Sequence, residues 1–118
     1  MKHIQTQIEV VESGYEFLLA YAAQGREDDL ADGRARSTLT QMDMAMGSIN
    51  EMLDTHGSEF NLVIANDIPK ARAAIAMVLA SERLSSELVD NLNASIHVRC
   101  VLTDLFILSE ALPVKRPV

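Results

Sequence analysis

The residues of this chain best placed to do chemistry are carboxylates at helical spacing. Glu9 and Glu12 stand three positions apart, as do Glu51 and Asp54, with His56 just beyond. An i, i+3 pair shares one face of a helix, and two facing pairs would supply the oxygen donors of a metal-dependent helical-bundle enzyme. Glu9, Glu12, Glu51, Asp54 and His56 are therefore the candidate metal ligands. The pattern is incomplete, because carboxylate-bridged sites also use Glu-x-x-His and none occurs here. His3, His56 and His97 fall in three separate segments. Both acidic pairs sit beside apolar seams, toward the wet side, where solvated helix faces ordinarily carry such residues. No metal or cofactor is expected, and a metal-dependent enzyme is the alternative.

Other chemistry fares less well. Asp28, Asp29, Asp32 and Gly33 suggest a calcium loop, but aligning Gly33 with the sixth loop position puts Leu30 at the third and Leu39 at the twelfth. Calcium needs oxygen at both. Glu27, Asp28, Asp29 and Asp32 read instead as an acidic connection open to a partner with a basic surface. A single cysteine, Cys100, excludes an intrachain disulfide and a multi-cysteine zinc site. It lies in the apolar run Val98 to Leu108 and reads as a buried, inert thiol. Its neighbour His97 projects about 100° away on a helix and cannot activate it. Arg99, in the same run, is expected to be buried and paired with Asp104 or an acid on another helix. No phosphate loop, Ser/His/Asp signature or dinucleotide fingerprint is present, so no catalytic residue is assigned.

Charge narrows the partners. Seventeen acidic against ten basic residues give a net charge of −7, which disfavours nucleic acid and anionic membrane. A weak DNA-binding regulator is the second alternative, but its bases (Arg26, Arg34, Arg36, Lys70, Arg72, Arg83) are sparse and separated by acids. The start, Met1 to Gln7, lacks the apolar stretch of a signal peptide. Arg99 and Asp104 interrupt the longest apolar segments, so no membrane span is expected and the cytoplasm is the expected location.

The elements that must position these residues are helices. Ile4, Ile8, Val11, Tyr15, Leu18 and Ala22 form one alternating four-and-three stripe; Leu39, Met42, Met46, Ile49 and Leu53 form another. Hydrophobic residues make up 48% of the chain but aromatics only 4%, a composition suited to helix-on-helix packing. The spacing predicts helix 1 over 4–23, with Gly14 available for close approach and Gly25 as its stop. Helix 2 should start between Arg34 and Thr38 and end near His56. Residues 57–67 could form a short extended segment or a further helical turn. Asn66-Asp67-Ile68-Pro69 reads as the start of helix 3, over 68–82. Ser85 reads as the cap of helix 4, with Leu84 and Val89 stapled around it. Helix 4 would run to Leu112, before Pro113. The alternative is one helix over 68–112, about 65 Å long.

The expected fold is all-α, an antiparallel bundle of about four helices over 1–112, with a flexible tail at 113–118. Helix 4 is apolar on nearly every side, more than one small bundle hides. Val98, Val101, Leu105, Leu108 and Leu112 are therefore assigned to a homodimer interface. The functional expectation is a non-enzymatic interaction module that binds and regulates or inhibits a larger protein, with the acidic connection as its second contact.

Overall fold

A computed structural model describes residues 2–111, with side chains from His3 onward. Five helices follow in order: α1 (Lys2–Ala22), α2 (Arg34–Met52), α3 (Glu59–Leu79), α4 (Ser86–Ala94) and α5 (Ile96–Ala111). No strand occurs among the described residues. They occupy a volume of about 49 × 27 × 19 Å.

Both stripes bury where their spacing places them. Ile4, Ile8, Val11 and Leu18 of α1 join Leu39, Met42, Met46 and Ile49 of α2 in one core. The helices run antiparallel: Gly14 faces Thr38 and Met42, while Phe17 lies 5.8 Å beneath the Arg34 guanidinium. A Cβ at Gly14 would stand 2.6 Å from the Met42 sulfur, so the missing side chain is what lets α2 approach. α2 and α3 also run antiparallel, with Arg36 at the end of α3 and Arg72 reaching back to Asp43. α5 packs along α3, and α4 along α1. The α1–α4 contact includes Asn93, whose amide donates to the Leu18 carbonyl at 3.1 Å.

α3 begins at Glu59, nine residues before the expected start. The Ser58 hydroxyl accepts the Asn61 N–H at 3.2 Å and caps it. Phe60, Ile64, Ile68, Ala71, Ile75 and Val78 then give one inward seam, all buried except the half-buried Phe60. Pro69 lies inside the helix on its exposed side. It removes one ladder bond, a cost of about 3 kcal/mol. Burial of Ile64 and Ile68 ahead of it offsets that loss and carries the helix through.

α2 stops at Met52, so His56 is not in its last turn. Asp54 organises the connection: its Oδ1 accepts the His56 N–H at 3.0 Å, and its carbonyl accepts Gly57 N–H and the Asn61 amide at 2.8 Å each. This local bonding competes with the helix.

The expected fourth helix is broken at Ser95, where α4 and α5 bend by 57°. The Ser95 N–H closes α4 on the Leu92 carbonyl at 3.0 Å, and its hydroxyl accepts the His97 N–H at 3.2 Å. Ser85 caps α4, and Leu84 and Val89 are both buried, as a staple requires.

The bend turns most of the residues assigned to a homodimer interface inward. Val98, Val101 and Leu105 are buried in the chain's own core and Leu108 is half-buried against it. Leu112 and the tail at 113–118 lie outside the described residues. By turning, α4 covers α1 while α5 covers α3, so one chain hides more apolar face than a straight helix would allow. Arg99 is exposed, not buried, and Cys100 is only half-buried. No single described helix is long and apolar enough to cross a membrane; only the bent α4–α5 pair reaches that length and apolarity.

Candidate functional site

The acids of the connection accept backbone N–H groups, although Glu27, Asp28 and Asp32 remain exposed. Asp29 Oδ1 accepts the N–H groups of Leu30 and Ala35 at 2.7 and 2.9 Å, and its Oδ2 accepts that of Arg36 at 2.9 Å. It thereby caps α2 from a distance, because Gly33 at the N-cap position is left-handed (φ 68°) and has no side chain to do so. Asp28 Oδ1 accepts the N–H groups of Asp29 and Leu84, both within 2.9 Å. Those two bonds hold the Asp28 carboxyl below the usual carboxylate range. Asp32 Oδ1 accepts the Arg34 N–H at 3.1 Å. Three of the four acids assigned to a partner thus accept backbone N–H groups of the chain; Glu27, Asp28 and Asp32 are exposed and Asp29 is half-buried.

The same end of the molecule is tied by uncharged groups. The buried Tyr21 hydroxyl donates to the Leu84 carbonyl at 2.6 Å. Ser86 donates to the Tyr21 carbonyl at 2.7 Å and accepts the Arg26 N–H at 2.8 Å. Arg36 closes the end of α3, donating to the carbonyls of Leu79 and Ser81 at 2.7 and 3.1 Å. This knot fixes where four helix ends meet.

The metal candidates are not brought together. Glu9 borders the α1–α2 groove, whereas Glu12 borders the α1–α5 groove with Tyr15, Glu16 and Arg99. Burial, then Glu9 and Glu16, push the Glu12 carboxyl up. Glu51 is exposed near the end of α2, and Asp54 and His56 belong to the connection beyond it. Among the described residues no group of three or more His, Cys, Asp or Glu could hold a metal ion. Arg72 is also committed, donating from Nε and Nη2 to Asp43 at 2.8 and 3.2 Å. Its guanidinium lies over Gly47, where a Cβ would come within 2.9 Å of Cζ.

What the spacing of the acids did not show is a surface on α3. Every exposed position from 62 to 80 is Leu62, Val63, Asn66, Pro69, Lys70, Ala73, Ala76, Met77 or Ala80. Lys70 carries the one charge among these positions, over about 27 Å of helix; Asp67 and the Asp43-paired Arg72 lie beside them, half-buried. Met77 is 73% exposed. By contrast, the exposed positions of α1 include His3, Thr6, Glu9, Ser13 and Glu16. On α5, which packs along α3, Ile96 and Ile107 are exposed as well. The signal available in the sequence was the run of alanines and aliphatics over 71–80, which has more apolar positions than one seam needs.

Between these helices lies an acid pair. Asp67 shares a helical stripe with Val63, Lys70, Ala74 and Met77; Asp104 shares one with Cys100 and Ile107. The Asp67 carboxyl acts on that of Asp104. Asp104 is 7% exposed, and its buried Oδ2 has no hydrogen-bond partner. Burial first, and then Asp67, push Asp104 up to about 7. The expected partner of Arg99 therefore faces an acid on another helix, because Arg99 points to the opposite side of α5. No family model matches the chain, and neither a curated protein nor a solved structure matches it.

Proposed function

We propose that this chain is a non-enzymatic interaction module, cytoplasmic, that binds a larger protein through the outer side of α3 and thereby regulates or inhibits it. The observation that carries the reading is the near absence of charge at the exposed positions from 62 to 80 in a chain of net charge −7. Contiguous apolar surface of this kind costs solubility, and in folded proteins it marks contact sites. A groove-forming partner that takes one apolar helix face fits its length and width. The commitment of Asp28, Asp29, Arg36 and Arg72 to internal bonds favours this surface over the acidic connection or a basic nucleic-acid footprint.

Photo-crosslinking in the native host tests the reading. A benzophenone side chain at Ala73 should give a discrete adduct with a larger protein, and one at Thr40, exposed on α2, should not. Equal adducts from both positions, or none from Ala73, contradict it. Two copies docked through α3 would instead form a homodimer of twice the 13.0 kDa chain mass, which light scattering of the purified protein distinguishes.

A further inference from the structure

The end of the bundle away from the Tyr21–Leu84–Ser86 knot is open, and the docking role of α3 leaves it unused. There α1, α2, α3 and α5 surround a cavity of about 700 Å³, within the range that small-molecule sites occupy. We propose that this cavity binds a small amine with an apolar body, its ammonium group held by the Asp54 carboxylate. The site does not depend on what covers the outer side of α3.

The walls are apolar. α1 contributes Ile4, α2 Met52 and Leu53, α3 Phe60, and α5 Ile107 and Leu108. Ile4 belongs to the buried core, whereas Met52 and Ile107 are 43% and 47% exposed, so apolar surface continues from the core out to the mouth. Water held against such walls finds few hydrogen-bond partners, and an alkyl or aryl body displaces it favourably.

The charge of the ligand follows from the mouth, where the connection turns its donors onto itself. His56 N–H goes to Asp54 Oδ1 at 3.0 Å, and Gly57 N–H and the Asn61 amide go to the Asp54 carbonyl at 2.8 Å each. Asn61 N–H goes to the Ser58 hydroxyl at 3.2 Å. None of the four reaches Asp54 Oδ2. A Cβ at Gly57 would stand 3.2 Å from that oxygen, so the glycine leaves it uncovered. Among the described side chains no lysine or arginine lines the cavity, and the other titratable group there is the exposed His3. An anionic head group would meet a carboxylate with no cation beside it. An ammonium group supplies both the opposite charge and the N–H donors that this oxygen lacks.

Methionine methyl signals of the full chain test this with octylamine and octanoate, which share a chain length and differ in head-group charge. Met52 lies in the cavity wall, while Met44 and Met77 are exposed elsewhere. Octylamine should shift Met52 saturably and leave Met44 and Met77 unmoved. Octanoate should bind at least about tenfold more weakly. Asp54→Asn keeps an Oδ1 acceptor for the His56 N–H and removes the charge, so the preference for the amine should disappear. The comparison of the two probes on the unsubstituted chain needs no variant and stands even where the substitution disturbs the connection. Octanoate binding as tightly as octylamine, a preference that survives Asp54→Asn, equal shifts at Met77, or no saturable shift at Met52 overturns the site.

Discussion

Asp29 holds the start of α2 through Ala35, whose N–H its Oδ1 accepts at 2.9 Å although the two are six residues apart. The cap therefore belongs to the connection and not to the residue next to the helix. Replacing Asp29 with Ala should cost about 1–2 kcal/mol, the upper range for a lost cap, since three N–H groups lose their acceptor. Asp32→Ala, which frees only the Arg34 N–H, should cost less than half as much. Thermal melts of the two variants check the order, and equal losses would show that Asp29 is not the cap.

Gly14 sets the distance between α1 and α2. Helix propensity alone makes Gly14→Ala stabilising by about 1 kcal/mol. The added methyl group would, however, stand 2.6 Å from the Met42 sulfur, in a site where Met42 is fully buried. Overpacking of this kind costs about 1–3 kcal/mol, so the net effect should be a loss of about 1 kcal/mol. A melting temperature that rises instead would mean the helices separate freely.

Asp28, shifted the opposite way from Asp104, gives the molecule an acid-side dependence. Its carboxyl is held low by the Leu84 and Asp29 N–H groups, so the charged form is the folded form's own. The stabilisation is present above the ordinary aspartate range and is lost as pH falls through it. Asp28→Asn should therefore lose less of its melting temperature between pH 5 and pH 3 than the unsubstituted chain loses. Parallel curves would show that Asp28 does not contribute.

The two long seams were legible in the sequence because a stripe at three- and four-residue spacing needs nothing beyond its own helix. The Ser85 cap was legible for the same reason, whereas the use of Gly14 for close approach shows only once Met42 of α2 lies against it. The start of α3 was not legible. Asn66 to Pro69 has every local mark of a helix start, and only the inward seam from Phe60 through Ile64 and Ile68 overrides it. That seam is tertiary: its value appears once α2 and α5 are in place. The surplus apolarity of helix 4 had a similar fate. Its excess suggested a second chain; a bend at Ser95, bonded on both sides by its own backbone and hydroxyl, turns part of that excess inward and leaves Ile96, Phe106 and Ile107 exposed.

The candidate surfaces were least legible. Asp28 and Asp29 read as an ordinary acidic connection, because nothing local shows that their oxygens accept N–H groups up to 56 positions away. Asp67 and Asp104 stand 37 positions apart, and nothing in the spacing of either indicates the other. The outer side of α3 includes Leu62, Val63 and Met77, residues that individually belong to a core. Only when Ile64, Ile68, Ala71, Ile75 and Val78 fill the inner side does the remainder become an exposed face.

The central claim is that this face takes a partner, and two methionines allow a matched test. Met77 on α3 and Met44 on α2 are both strongly exposed, at 73% and 63%, so a glutamate at either position should leave the fold intact. The measurement is recovery of the crosslinked partner from the native host by chains carrying Met77→Glu or Met44→Glu. Recovery should fall at least about tenfold with Met77→Glu, as a charge buried in an apolar contact costs more than 1.4 kcal/mol. It should be unchanged with Met44→Glu. Full recovery with Met77→Glu, or an equal fall with both, contradicts the account.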